Sequence, residues 1–364
     1  MASKAERPHR RYNALLDEWL LVAPQRVLRP WHGATEQSRP NSAPAADTHA
    51  AQQHAHSNPL MPGGVRARGI VTPSYESTYV FTNDFPALIP QADGETNDDN
   101  DSGEDNVFAR SETVSGTCRV MCYHPNSDLQ LATMQLSAIE LVISEWQRQL
   151  CELGSRYDWV QIFENKGAAV GCSNPHPHCQ IWAGDFLPNQ IRTKDRTQRH
   201  YFERHGRPML LDYAAHELAG NMERVVYANA DWLCVVPYWA VWPFETMLLP
   251  RHRHIAHLHQ LMQHEVQTLA ECMQQLLVRY DNLFKCSFPY SMGWHGAPSG
   301  RHAAEQQAHW QLHAVYLPPL LRSADVKKFM AGYELVCEPQ RDVTPEMAAE
   351  RLRTCSGKHY TCTE

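Results

Sequence analysis

The segment Gly171-Cys172-Ser173-Asn174-Pro175-His176-Pro177-His178-Cys179-Gln180-Ile181-Trp182 places two prolines, two histidines and a glutamine within twelve residues. In an extended backbone alternate side chains share a face, so His176, His178, Gln180 and Trp182 fall on one side and Cys179 and Ile181 on the other. Proline cannot donate to a strand ladder, and Pro175 and Pro177 therefore predict an edge or bulged strand bordering a cleft. Immediately upstream, a strand at 159–163 runs into Glu164-Asn165-Lys166-Gly167-Ala168-Ala169-Val170-Gly171. Glycines at the ends of that loop allow backbone amides to approach an anion closely.

Farther out, the same plan occurs twice. In the first copy, Ser137-Ala138-Ile139-Glu140 reads as a capping box, and Leu141, Val142, Trp146 and Leu150 recur at helical spacing until Gly154. In the second, residues 232–250 read as a strand pair, and Val266, Leu269, Met273, Leu276, Leu277 and Tyr280 form a helical core stripe. Tyr290-Ser291-Met292-Gly293-Trp294-His295 then leads to His309-Trp310-Gln311-Leu312-His313-Ala314-Val315. An internal duplication in which only one copy keeps the reactive constellation accounts for the pattern. A last helix is predicted to start near Thr344-Pro345.

A neutral imidazole is a good nucleophile toward phosphorus near neutral pH, because its ordinary pKa of about 6.5 leaves it mostly deprotonated. His178 is the candidate, with Gln180 on the same face able to donate to a phosphoryl oxygen. Histidines so spaced also suit a metal site or a satisfied core; the glycine loop and Gln180 favour phosphoryl chemistry. A strand over 75–82 leads to Asn83 and Asp84, which either close a turn or contact a base or ribose. Arg26 and Arg29 flank a turn after a strand at 19–22, and are either solvated or suited to phosphate.

The 364 residues carry 40 acidic and 33 basic side chains, but seven of the acids lie within 93–105, a solvated loop, and without them the two signs balance. That balance gives no bulk argument for nucleic acid or membrane binding. Residues 32–57 are a low-complexity insertion rich in Ala, Gln, His, Ser and Pro. Eleven irregularly spaced cysteines and no apolar leader at the N-terminus predict a cytoplasmic protein with reduced thiols.

The central segment, together with Phe163-Glu164-Asn165-Lys166-Gly167, Val236-Pro237-Tyr238-Trp239-Ala240, Trp242-Pro243-Phe244-Glu245-Thr246 and Phe288-Pro289-Tyr290-Ser291-Met292-Gly293-Trp294-His295-Gly296, resembles the galactose-1-phosphate uridylyltransferase family of the histidine-triad superfamily. The resemblance implies an α+β fold of two tandem histidine-triad-like domains, 1–190 and 195–350, each an antiparallel sheet with flanking helices. It implies a homodimer with a composite active site. It also implies transfer of uridylyl from UDP-glucose, through His178, to galactose 1-phosphate, giving glucose 1-phosphate and UDP-galactose. Catalytic roles fall on His178, Gln180 and Ser173; base and ribose contacts on Asn83 and Asp84; phosphate contacts on Asn165, Gly171, Cys172, Ser173 and Gln180. Lys328, Phe329, Tyr333, Glu334 and Gln340 correspond to the hexose and remaining nucleotide contacts, and Arg26 and Arg29 to a pair reaching in from the partner. Superfamily hydrolases carry a third histidine where this chain has Gln180, and an amide cannot act as the acid, so transfer is preferred over hydrolysis.

No organic cofactor is implied. One family zinc site falls on Asn58, Met61, Asn126 and His176, and a second metal site on Lys194, His295, His313 and Val315. His176, His295 and His313 are then remnants, since the other positions are unsuited to zinc, and neither site is expected to be intact.

Overall fold

The computed structural model describes residues 7–28, 58–91 and 108–362. Both insertions and Arg29 lie outside the described residues. Strands β1 (His9–Asn13), β2 (Glu18–Val22) and β4 (Ser111–Thr113) form a small sheet in the order β2-β1-β4. The main sheet contains β3 (Tyr79–Thr82), β5 (Gly116–Cys122), β6 (Trp159–Lys166), β7 (His178–Gly184), β8 (Val225–Ala228), β9 (Trp232–Val235), β10 (Thr246–Pro250), β11 (Tyr290–His295) and β12 (His313–Leu317). Its nine strands run antiparallel in the order β3-β5-β7-β6-β11-β12-β10-β9-β8. The expected α+β duplication is therefore present, and its two sheets are joined edge to edge where Ile162 to Lys166 of β6 pair with Trp294 to Tyr290 of β11.

The helices are α1 (Leu136–Gly154), α2 (Asn189–His205), α3 (Met209–Ala219), α4 (Gln263–Phe284), the short α5 (Tyr333–Val336) and α6 (Pro345–Arg353). Strand alternation assigns the two faces of the sheet different neighbours. Cys179, Ile181 and Ala183 of β7 are buried in the main core with Ile139, Val142 and Trp146 of α1 and Leu269, Met273 and Leu276 of α4. Trp294 of β11 sits between Trp146 and Trp232, with ring centroids 6.3 and 6.1 Å away, so one aromatic cluster serves both halves. On the other face, α3 covers Leu233, Val235, Met247 and Leu249 of the second half. Over the first half the half-buried His178, Gln180 and Trp182 border a cavity.

The predicted stripe of α4 is buried throughout, and Thr344 caps α6 by accepting from Met347 N. Two local expectations are corrected. α1 begins at Leu136 with Gln135 at its N-cap, which puts Ser137 inside the first turn, where it cannot close a capping box. β7 is an interior strand hydrogen-bonded on both sides, because Pro175 and Pro177 precede the ladder that starts at His178.

Asp281 of α4 ties several of these elements together. Its side chain is 3% exposed and accepts from Lys166 Nζ at 3.1 Å, Phe288 N at 2.8 Å and His359 Nε2 at 3.2 Å. Removing one member of a buried pair leaves the other charge uncompensated. Asp281→Ala is expected to lower the free energy of unfolding by about 3 kcal/mol or more in urea titrations, and a loss below about 1 kcal/mol would contradict this role.

Candidate active site

The turn before β7 is built by backbone geometry that glycine adopts readily. Gly167 and Gly171 have φ of 91° and 80°, on either side of a 3-10 turn over Ala168–Val170. Asn174 then organises the approach to the strand: its Oδ1 accepts from His176 N at 2.9 Å, and its amide pairs reciprocally with that of Asn58 at 2.8 and 3.0 Å.

His178 Nδ1 lies 2.7 Å from the carbonyl oxygen of His176. A carbonyl only accepts, so Nδ1 carries the proton and Nε2 keeps its lone pair. Burial lowers the His178 pKa below the ordinary imidazole value, opposed by that bond to the carbonyl. Gln180 Oε1 accepts from Trp182 Nε1 at 3.3 Å, which engages the oxygen and leaves the NH2 as the donor end of a side chain that lines the cavity. Burial also keeps the neighbouring thiols protonated: Cys172 is raised, and Cys179, behind the strand, is pushed up to about 12. His178 thus borders the cavity with an unprotonated Nε2, while the thiols beside it stay protonated.

The cavity measures about 390 Å³ and brings together Asn83, Asp84, Asn165, Gly171, Cys172, Ser173, His178 and Gln180. Asn83 both lines the cavity and closes a turn, accepting from Phe85 N at 2.9 Å. Asp84 pairs with Arg66 at 3.1 Å, whose guanidinium lies 3.8 Å over the Phe81 ring. Asn165 Oδ1 accepts from Ser291 Oγ at 2.7 Å, a contact from the second half of the chain. Arg66 and Ser291 were not identified as supports in the sequence, where no local pattern marks them.

Arg26, expected to reach in from a partner, lines the cavity of its own chain. Its 3-10 turn is fixed there because Gln25 Nε2 donates to the carbonyls of Pro86 and Ala87, just beyond the Asn83-Asp84 turn. The group Lys328, Phe329, Tyr333, Glu334 and Gln340 is not brought to this cavity. Lys328 Nζ instead pairs with Glu334 at 2.5 Å, and Arg341 pairs with the same carboxylate; the two cations lower Glu334 to about 2. Phe329 and Tyr333 are 66% and 57% exposed.

Neither inherited metal position has a donor set that fits a metal. Both ring nitrogens of His176 are engaged by hydroxyls, Nε2 with Tyr75 and Nδ1 with Ser127, each at 2.7 Å. Burial lowers this imidazole to about 4, with His178 and His124 adding to the effect. Asn58 is committed to Asn174, and Asn126 turns away to accept from Asp128 N, leaving the adjacent Ser127 to face His176. At the second position the Lys194 amine lies against both His295 and His313. Tyr75 and Ser127 complete the set that local sequence did not mark as functional.

The family model described as "Galactose-1-phosphate uridyl transferase, N-terminal domain" matches residues 1–188, and its C-terminal counterpart matches 194–364. The chain is 52% identical over 358 residues to a "Probable galactose-1-phosphate uridylyltransferase" of Drosophila melanogaster, covering 98% of each. It is 50% identical over 361 residues to a "Galactose-1-phosphate uridylyltransferase" of Rattus norvegicus, covering 99% of this chain and 91% of the relative. Among solved structures, one titled "Structure of uridylyltransferase" superposes with a TM-score of 0.74 at 23% identity, over 95% of this chain and 97% of the other. An Arabidopsis thaliana ADP-glucose phosphorylase has the same fold, with a TM-score of 0.63 at 21% identity, covering 96% and 99%. On both family models and on relatives about half identical over nearly its whole length, the chain belongs to the galactose-1-phosphate uridylyltransferase family.

Proposed function

We propose that this protein transfers uridylyl from UDP-glucose to galactose 1-phosphate by double displacement through His178. The observation that carries the reading is the Nδ1 bond of His178 to the His176 carbonyl, which leaves Nε2 unprotonated beside a cavity that Gln180 also borders. In the first step Nε2 attacks the α-phosphorus; the P–N bond forms as the bond to the β-phosphate oxygen breaks, and glucose 1-phosphate leaves with the electron pair. In the second, a phosphate oxygen of galactose 1-phosphate attacks the same phosphorus, the P–N bond breaks, and UDP-galactose leaves. The leaving group in each direction is a stable anion, so an acid is not needed, and an amide at 180 suffices. Gln180 and Ser173 donate to phosphoryl oxygens, a kind of stabilisation commonly contributing about 3 kcal/mol per well-placed donor. The charge that develops on the imidazole strengthens its bond to the His176 carbonyl.

The remaining contacts favour a dimer. Lys166 is held by Asp281 and Lys328 by Glu334, so neither lysine is available to the substrate in its own chain. The cluster at 328–340 lies outside that chain's cavity and exposes Phe329, Tyr333, Leu335 and Val336, which suits a segment completing the site of a second copy. The eleven cysteines are all free thiols, which suits work in a reducing compartment, the cytoplasm; no described helix is long and apolar enough to cross a membrane.

His178→Gly is expected to abolish transfer while UDP-glucose still binds in calorimetry, and to lose the acid-labile label that the parent takes from UDP-glucose radiolabelled in the uridylyl phosphate. Full turnover by the variant would remove the mechanism. Because protonation of Nε2 blocks attack and burial holds the His178 pKa down, the acid limb of single-turnover glucose 1-phosphate release is expected below pH of about 6.5. A half-maximal rate at pH of about 7 or above would contradict that environment. For the dimer, equal mixing of inactive His178→Gly chains with Glu334→Ala chains is expected to restore up to about a quarter of wild-type activity, from the one complete site in each hybrid. Hybrids that form by mass measurement yet stay inactive would assign Glu334 to its own chain.

A further inference from the structure

Under α2, on the sheet face that bears His178 in the first half, two buried imidazoles face each other across a strand pair. His295 ends β11, His313 begins β12, the two are register partners, and their rings lie 5.1 Å apart. His313 Nδ1 lies 3.0 Å from the carbonyl oxygen of Gln311, so it carries the proton and Nε2 keeps the lone pair. The arrangement repeats that of His178, which also begins its strand and bonds through Nδ1 to the carbonyl two residues earlier. At His178 the lone pair borders a cavity. At His313 it is aimed at Lys194 Nζ, 3.0 Å from Nε2, and the same nitrogen is 2.5 Å from His295 Nδ1.

Two lone pairs converging on one buried point attract a cation, and imidazole is a common ligand of divalent metals, but two imidazoles alone fall short of the three or four protein ligands of a zinc site. This chain belongs to a family whose resemblance implies a metal here, but its own donor set departs from that: Val315 has no lone pair to offer and packs with α3, and Lys194 brings positive charge of its own. Burial lowers the Lys194 pKa to about 8, which still leaves the amine mostly protonated at neutral pH, and the Glu245 carboxylate opposes that lowering from nearby while accepting from the Val241 and Trp242 amides.

We propose that the Lys194 ammonium is the resident cation of this centre, a covalently attached substitute for a structural metal ion that fastens α2 to β11 and β12. The lysine donates to both imidazoles, so the hydrogen-bonding needs of His295 and His313 are met without a metal. The anchored end of β11 lies four residues beyond Ser291, which supports Asn165 in the cavity of His178.

The test uses the full chain purified without added metal. Elemental analysis is expected to find no stoichiometric zinc or iron, and neither EDTA nor micromolar Zn2+ should shift its melting temperature. Lys194→Met, which keeps the stem and removes the donor, is expected to melt about 5 °C lower. Lys194→Glu, which sets a carboxylate beside the two imidazoles, is expected to be destabilised without metal and to regain melting temperature on adding Zn2+, with about one ion bound per chain. A parent protein carrying one tightly bound metal, lost in Lys194→Met, would overturn the proposal without relying on the stability of any new variant. Unchanged melting of Lys194→Met would likewise overturn it, and a Lys194→Glu chain indifferent to Zn2+ would reduce Lys194 to an ordinary buried donor.

Discussion

The pairing of β6 with β11 governs how this molecule is assembled. Five register pairs run from Tyr290 and Lys166 to Trp294 and Ile162, and they turn two duplicated halves into one sheet. Two side chains of β6 next to the cavity strand then have partners across that seam. Asn165 is held by Ser291 across it, and Lys166 reaches Asp281 on α4 of the other half. The aromatic core likewise ignores the duplication, since Trp294 lies between Trp146 and Trp232. The cavity beside His178 belongs to the first half by its lining and is braced from the second half through Ser291.

What could be read from the sequence was what depends on short-range periodicity. His178 and Gln180 on one face, the buried stripe of α4 and the glycine-bounded turn all follow from spacing of a few residues, and the structure has them. The misreadings arose where a local signal met a neighbour that it could not encode. Pro175 and Pro177 suggested an edge strand, but they stop just before the ladder, and β7 is enclosed by β5 and β6. Ser137 looked like a cap until the helix began one residue before it. The supports that went unnoticed act over long separations: Tyr75 meets His176 across 101 residues and Ser291 meets Asn165 across 126. The family resemblance implies that Arg26 acts across a dimer; in the single chain Gln25 pins its turn beside the chain's own cavity.

The two positions where the family resemblance implies metals are handled alike. At His176, hydroxyls of Tyr75 and Ser127 occupy both ring nitrogens; at His295 and His313, an amine occupies one nitrogen on each. In each case hydrogen-bonding groups of the chain do what coordination would do, which is to fix the orientation of an imidazole that could otherwise turn. His176 serves His178 separately through its backbone, whose carbonyl oxygen accepts from Nδ1 and so sets the tautomer.

The seam between β6 and β11 also covers two strand edges. Either half alone would end in a long unpaired strand, and an exposed edge of that kind readily recruits another strand. In the present chain each half covers that edge of the other, since β6 and β11 pair along five residues. Because both strands belong to one chain, this pairing does not depend on protein concentration, and neither half can expose the edge without unfolding part of the other.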